Sequence, residues 1–366
     1  MSTSSTSTVG KPEAPRKRSH KFGKFVLWFL GICLFFELAL RLFGYGSYVI
    51  YRPDEQLLWV PIPGNHRVTE INHEPETISP QGFRYKEVLS LEHPGVYRVF
   101  TFGDSVTMGW GVSDDSTYSA QLEKRLNSQS CSGTKFQVIS AGVNAYPQFL
   151  TVRRLQRVIQ DGYRPDALVV AFSFNTGFEV LSDLQGAEKE QFLKKVELKS
   201  IVRRSALYNF TMEGVLRNLV YYRLRGRIML GTWDTAASLP NPPADHYLKE
   251  LQAAKQAADD NHAQLIFLLL GSKGEFQGTH PYQKAMFQFA KENNIPLVNA
   301  MDIMKNYQNQ DDVFMDHAHP TALGHSLIAE QLASTVRGLS SYATSCGASN
   351  SSAVTSLTTK PATIQP

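Results

Sequence analysis

Ser105 follows Gly103-Asp104 at the end of the apolar run 97–102, and Asp316 and His319 lie three residues apart in Asp316-His317-Ala318-His319-Pro320. A serine hydroxyl is a weak nucleophile until an imidazole takes its proton. The imidazole needs a carboxylate that fixes its tautomer and stabilises the charged ring. One tight turn is enough to aim Asp316 at His319. Attack on a carbonyl also requires hydrogen-bond donors for the oxyanion that forms. The backbone N–H groups of Ser105 and Gly142 and the side-chain amide of Asn175 are candidates for that work. Together these residues could carry out acyl transfer from an ester.

They can do so only if the fold gathers them. The apolar runs 97–102, 136–139, 166–172, 264–270 and 297–300 predict strands, and helical spacing predicts helices over 118–126, 152–159, 246–259, 282–292 and 321–336. Strands alternating with helices imply a parallel sheet covered on both faces. Ser105, Gly142, Asn175 and the Asp316–His319 turn then fall after the first, second, third and fifth strands. Doubly wound sheets collect reactive groups at that carboxyl edge.

Plainer roles exist for each residue. Ser105 could cap the helix after it. Gly142 could serve only as a turn glycine, and Asn175 could bond its own backbone. His317 and His319, with Asp316 and His325, suggest a metal site. Zinc, however, wants three or four converging ligands, and successive residues in a turn point apart. The expectation is no metal and no cofactor, with His317 at the surface or substrate edge and His325 packed one turn into the last helix.

Gly103-Asp104-Ser105, Gly142, Asn175 and Asp316-x-x-His319-Pro320 resemble, in order and spacing, the four motif blocks of the SGNH (GDSL-type) hydrolases. The resemblance spans roughly residues 96–339. It implies a three-layer α/β/α, flavodoxin-like sheet of about five parallel strands. It also implies esterase, lipase or acyltransferase chemistry without a metal, a triad of Ser105, Asp316 and His319, and an oxyanion hole of Ser105, Gly142 and Asn175. The third block departs from the family's G-x-N-D, because Ser173 and Thr176 take its outer positions. The α/β-hydrolase pattern G-x-S-x-G is a poorer match, with Thr107 in place of its last glycine. The family fold would bring Cys131 and Cys346 to the rim opposite the site, so a disulfide between them is expected.

At 366 residues, with 42% hydrophobic and 19% charged residues, the chain is a folded protein with one large core and appendages. Its net charge of +4 owes much to Arg16, Lys17, Arg18, Lys21 and Lys24, so a nucleic-acid partner is not expected. Residues 1–22 are expected to form a disordered cytoplasmic tail and 23–44 an uncleaved transmembrane signal anchor containing Cys33. The apolar stretch is about the ~20 residues that a bilayer requires. No small-x-small cleavage site follows it, which argues against a secretory leader, and its basic flank argues against a core helix. The positive flank keeps the N-terminus cytoplasmic and places the rest outside. Residues 45–95 read as a collar and 96–340 as the catalytic domain. Within that domain, 181–241 is a basic insertion expected to be helical around 192–205 and 215–225. It could be a solvated helical pair, a membrane-surface patch or a cap over the site, and its place directly after the third strand favours a lid. Residues 341–366 are expected to be a disordered tail. Location and the likeness to anchored envelope members point to acyl esters as substrate, with O-acetyl groups on envelope polysaccharide foremost. Acyl transfer onto a glycan, or glycan binding by a silent site, are the alternatives.

Overall fold

The computed structural model describes residues 20–43, 45–46, 48–70, 72–128, 134–172, 175–212, 244–273 and 280–346. The first element, α1 (His20–Arg41), contains a span of mean hydropathy 1.9 over Phe22–Arg41, long and apolar enough to cross a membrane. Glu37 and Arg41, one turn apart near its end, form an ion pair at 2.6 Å.

The collar folds into two antiparallel hairpins, β1 (Tyr51–Asp54) with β2 (Leu58–Pro61) and β3 (Gly64–Val68) with β4 (Pro75–Ile78). After β5 (Val96–Phe102) come α2 (Ser105–Met108), α3 (Tyr118–Ser128), β6 (Lys135–Ser140), α4 (Gln148–Gln160) and β7 (Ala167–Ala171). Next are α5 (Gly186–Val202), α6 (Ala206–Asn209), α7 (Ala244–Asp260), β8 (Gln264–Leu269) and α8 (Pro281–Glu292). The chain then forms β9 (Leu297–Asn299), α9 (Ala300–Met304), α10 (Ala322–Arg337) and α11 (Ser340–Ser345).

Strands β5 to β9 form one sheet in the order β6-β5-β7-β8-β9, with every pair parallel. Counted from β5, that is 2-1-3-4-5, the flavodoxin-like order. The expected α/β sheet of five parallel strands is therefore the one that forms. In β5, Phe100 and Phe102 join the cluster beneath α4, α7 and α8, while Tyr97 and Val99 join the cluster beneath α3 and α10. Alternation along the strand thus feeds two cores, and a sheet covered on both faces reads as a continuous apolar run. The strand order reverses between β5 and β7, which opens a crevice at their carboxyl ends.

Two regions are more structured than the sequence suggested. The collar's Leu57, Leu58, Trp59 and Val60 are buried against Tyr146, Phe149 and Leu150, and Phe192, Leu193 and Val196 of α5 close over that cluster. The first half of the insertion thus packs on the collar, and its expected second helix, 215–225, lies outside the described residues. The tail expected to be disordered from 341 instead begins inside α11. Tyr342 stacks on Phe136 with ring centroids 5.3 Å apart, and Ser341 bonds Tyr97 at 2.5 Å. Aromatic burial holds that helix where a Ser/Thr-rich composition alone gave no reason for one. Ser345 accepts a bond from Thr134 at the start of β6, so Cys346 sits at the rim opposite the carboxyl edge. Cys346 is disulfide-bonded, and Cys131 lies outside the described residues.

Candidate active site

Beyond β5 the chain turns through Gly103 and Asp104 into α2, where Ser105 is the first helical residue. Asp104 is buried and caps this short helix, its Oδ1 accepting the Val106 N–H at 3.0 Å. Its Oδ2 accepts from Asn175 Nδ2 at 3.1 Å, tying the loop after β5 to the loop after β7. Gly103 has no room for a side chain, since a Cβ there would meet Thr107 Oγ1 at 2.1 Å.

The second half of the site is a turn after the short 3-10 helix Gln310–Asp312. Phe314 bridges Pro320, and the Met315 N–H donates to the His319 carbonyl at 2.8 Å, closing the loop on itself. Asp316 Oδ1 accepts the backbone N–H groups of Ala318 and His319 at 2.9 and 2.8 Å. The same carboxylate meets His319 Nδ1, with Oδ2 at 2.8 Å. Burial opposes charge on Asp316, but the His319 ring and the two N–H groups outweigh it and hold the carboxyl at about 2. An ionised carboxylate only accepts hydrogen bonds, so Nδ1 carries the proton and Nε2 of the neutral ring is an acceptor. That Nε2 stands 2.8 Å from Ser105 Oγ. Hydroxyl, imidazole and carboxylate thus form one chain that can pass the serine proton to the ring.

The oxyanion candidates converge on the same edge. Gly142 follows β6, and a Cβ there would meet the Met108 N at 2.5 Å and the Thr107 carbonyl carbon at 2.8 Å. Its backbone therefore lies against the turn that carries Ser105. Among the described residues, the N–H groups of Ser105 and Gly142 donate to no backbone acceptor. Asn175 Nδ2 is engaged, by Asp104 at 3.1 Å and by the Tyr146 carbonyl at 3.3 Å. It could serve an oxyanion by giving up the longer of these bonds. Of its altered neighbours, Ser173 lies outside the described residues.

His317 is solvent-exposed, and its carbonyl accepts the Lys273 N–H at 2.7 Å. His325 is fully buried in α10, where its Nδ1 accepts the Tyr118 N–H at 3.1 Å and its ring stacks on Tyr118. Burial, then the charges of Arg84 and His319, hold its pKa down to about 3, so the ring is neutral. Among the described residues, no three His, Cys, Asp or Glu gather so as to hold a metal ion.

Residues 101–327, more than half of the chain, match the model of the GDSL-like lipase/acylhydrolase family. The chain belongs to that family. GDSL acylhydrolases act on esters, and the hydrolase class of this chain follows from the membership. Similar solved structures include the psychrotrophic esterase EstA from Pseudoalteromonas, 13% identical, covering 66% of this chain and 97% of that one at a TM-score of 0.41. A lipase/acylhydrolase from Enterococcus faecalis is also 13% identical, with 66% and 95% coverage and a TM-score of 0.40. A member of the lipolytic G-D-S-L family from Veillonella parvula is 12% identical, with 66% and 99% coverage and a TM-score of 0.40. No curated protein matches the chain.

In this GDSL family member, sequence reasoning missed two residues that shape the site. Trp110 lies between Gly109 and Gly111, whose φ values of 82° and 85° are left-handed and favour glycine. The Trp110 ring sits 4.2 Å, centroid to centroid, from that of His319. Arg84 comes from the collar and is 5% exposed. It donates to the carbonyls of Met108, Gly109 and Val112 at 2.7, 2.6 and 2.7 Å, and its Nε pairs with Asp114 at 3.1 Å. It thus ties down the carbonyls at the end of α2. The Gly-Trp-Gly pattern just after Ser105 was the available signal for Trp110. Nothing local marked Arg84.

Proposed function

We propose that this chain is a membrane-anchored serine esterase, with Ser105 as nucleophile, His319 as general base and acid, and Asp316 as the group that orients and charge-balances His319. The observation that carries the reading is the unbroken line Ser105 Oγ–His319 Nε2–Asp316, with both links at 2.8 Å. In the acylation step Ser105 Oγ attacks the ester carbonyl as its proton moves to Nε2. The oxyanion takes the N–H groups of Ser105 and Gly142, with the Asn175 amide turning from Tyr146 to join them. His319 then gives its proton to the leaving alkoxide. A water, activated by the same ring, releases the acid and regenerates the serine.

The setting narrows the substrate. Helix α1 supports an anchor, and the basic residues before it support a cytoplasmic N-terminus with the catalytic domain outside. Acyl esters of the envelope, foremost O-acetyl groups on polysaccharide, fit an esterase held there. The test is hydrolysis of p-nitrophenyl acetate and longer acyl homologues by the full chain in neutral detergent. Turnover that prefers acetate and disappears in Ser105→Ala supports the reading. Equal turnover by the Ser105→Ala chain overturns it.

A further inference from the structure

Arg41, Arg67 and Arg204 converge on a cavity of about 400 Å³, completed by Gly46, Ile50 and Ile62. They come from three separate elements: the last residue of α1, strand β3, and the segment after α5. Arg41 is accounted for, since Nη2 pairs with Glu37 and donates to the Arg204 carbonyl at 2.7 Å. Arg203, next in line, is tied to Glu70 at 2.6 Å. Arg67 and Arg204 differ, because among the described residues neither has a carboxylate within ion-pair reach. The Arg67 side chain folds over Gly64, where a Cβ would meet its Nε at 2.5 Å. That Nε is buried and donates to nothing. Burial and then the charge of Arg204 press its pKa below the usual arginine value.

Two facing guanidinium groups with a buried, unused donor are unfavourable until an anion joins them. Guanidinium forks match the geometry of phosphate oxygens. The cavity's position says which phosphate. Its lining includes Arg41, the last residue of the apolar span, and exposed Leu42 and Phe43 come next in the chain. Leu198 and Ile201, exposed near the C-terminus of α5, stand just before Arg204 in the chain. Glu37 accepts the Ser205 hydroxyl and the Ala206 and Leu207 N–H groups at 2.8, 2.9 and 2.9 Å, fixing α6 to the membrane helix. Apolar side chains around arginines at such a level fit the headgroup layer of a bilayer.

We propose that this cavity binds the phosphate of an anionic phospholipid headgroup in the leaflet beneath the catalytic domain. The inference rests on the membrane-anchored reading above. Headgroup binding there would brace collar, insertion and anchor helix as one unit and set the height of the active site over the bilayer.

The test uses the full chain in dodecyl maltoside, with retained phosphatidylglycerol counted by native mass spectrometry. The wild type should hold one molecule, and Arg67→Gln/Arg204→Gln should bind it about tenfold more weakly or worse, given two lost charge-assisted contacts. The double lysine variant should recover part of that loss. Unchanged p-nitrophenyl acetate turnover and thermal unfolding in the glutamine variant confirm that it is folded. Equal retention by wild type and glutamine variant overturns the proposal. So does a wild type that binds inorganic phosphate at this site but retains no lipid. Carbonate extraction of membranes tests the anchor separately. Release of the chain by carbonate removes the anchor reading, whereas a retained chain without arginine-dependent lipid binding removes only the cavity's role.

Discussion

The indole of Trp110 lies against the imidazole of His319, with ring planes inclined by 40° and centroids 4.2 Å apart. The contact depends on the left-handed glycines on either side of Trp110 and on the Trp110 N–H, which donates to the Ser105 carbonyl at 3.0 Å. An indole face so placed limits the ring's rotation and would attract the imidazolium that the proposed acylation forms. Such contacts are worth about 0.5–2 kcal/mol. Trp110→Ala should therefore lower kcat about tenfold with little change in KM. Trp110→Phe should restore most of the loss, as steady-state kinetics on a p-nitrophenyl ester would reveal.

Arg84 links the collar to the turn that carries Ser105, and its replacement tests whether that link is structural. Arg84→Met would remove the guanidinium donor from the carbonyls of Met108, Gly109 and Val112 and leave Asp114 without its ion-pair partner. Breaking a buried pair in this way costs about 3–5 kcal/mol. The expected result is a fall in the thermal midpoint of many degrees together with lost turnover. Arg84→Lys should rescue little, because one ammonium cannot reach acceptors spread around a planar fork.

How much of this was legible in the sequence follows from where each residue's partners lie. The five strands could be read because each is a short, continuous apolar run alternating with a helical pattern. Ser105, Gly142, Asn175 and the Asp316–His319 turn could be located because each stands directly after a strand or before a helix. Arg84 could not, since the acceptors that tie it to the Ser105 turn are backbone carbonyls 24 to 28 positions away and carry no side-chain signature. The same applies to Asp104, whose bond to Asn175 crosses 71 positions. The docking of Glu37 on α6 spans 168 to 170 positions and joins the apolar helix α1 to the insertion, a contact that no local pattern encodes.

Glu179 gives the fold a pH dependence of definite sign. Its Oε1 accepts the Gln148 N–H at 2.6 Å at the start of α4. Burial, opposed by that N–H and reinforced by Glu250, raises its pKa from 4.5 to about 8. A carboxyl whose folded pKa is raised contributes stability in full below about 4.5, and that contribution is lost as pH rises through about 8. The loss should be on the order of a few kcal/mol. Thermal unfolding between pH 5 and pH 9 should show it in the wild type. Glu179→Gln, which keeps an acceptor for Gln148, should flatten the profile and raise the midpoint at pH 9. A variant with the same slope as the wild type would remove Glu179 as the source.

Gly142 is a sharper probe of the oxyanion reading than Asn175. A methyl group there would press on the backbone at Thr107 and Met108 and displace its own N–H. Gly142→Ala should lower kcat about a hundredfold or more, the usual cost of a misplaced oxyanion donor. Asn175→Ala should fall in the same range. An Asn175→Ala rate within twofold of wild type would mean that its amide serves only to hold Asp104.

The central claim is that Ser105 is the nucleophile, activated by His319 and Asp316. A fluorophosphonate probe reports on it directly, because it phosphonylates an activated serine and leaves the adduct on the peptide. After treatment of the full chain, peptide mass spectrometry should place a single adduct on Ser105. Labelling should slow severely in His319→Ala, and by about ten-thousandfold in Asp316→Asn if the tautomer is lost as the triad requires. An adduct on another serine, or labelling of Ser105 at an unchanged rate without His319, would contradict the account.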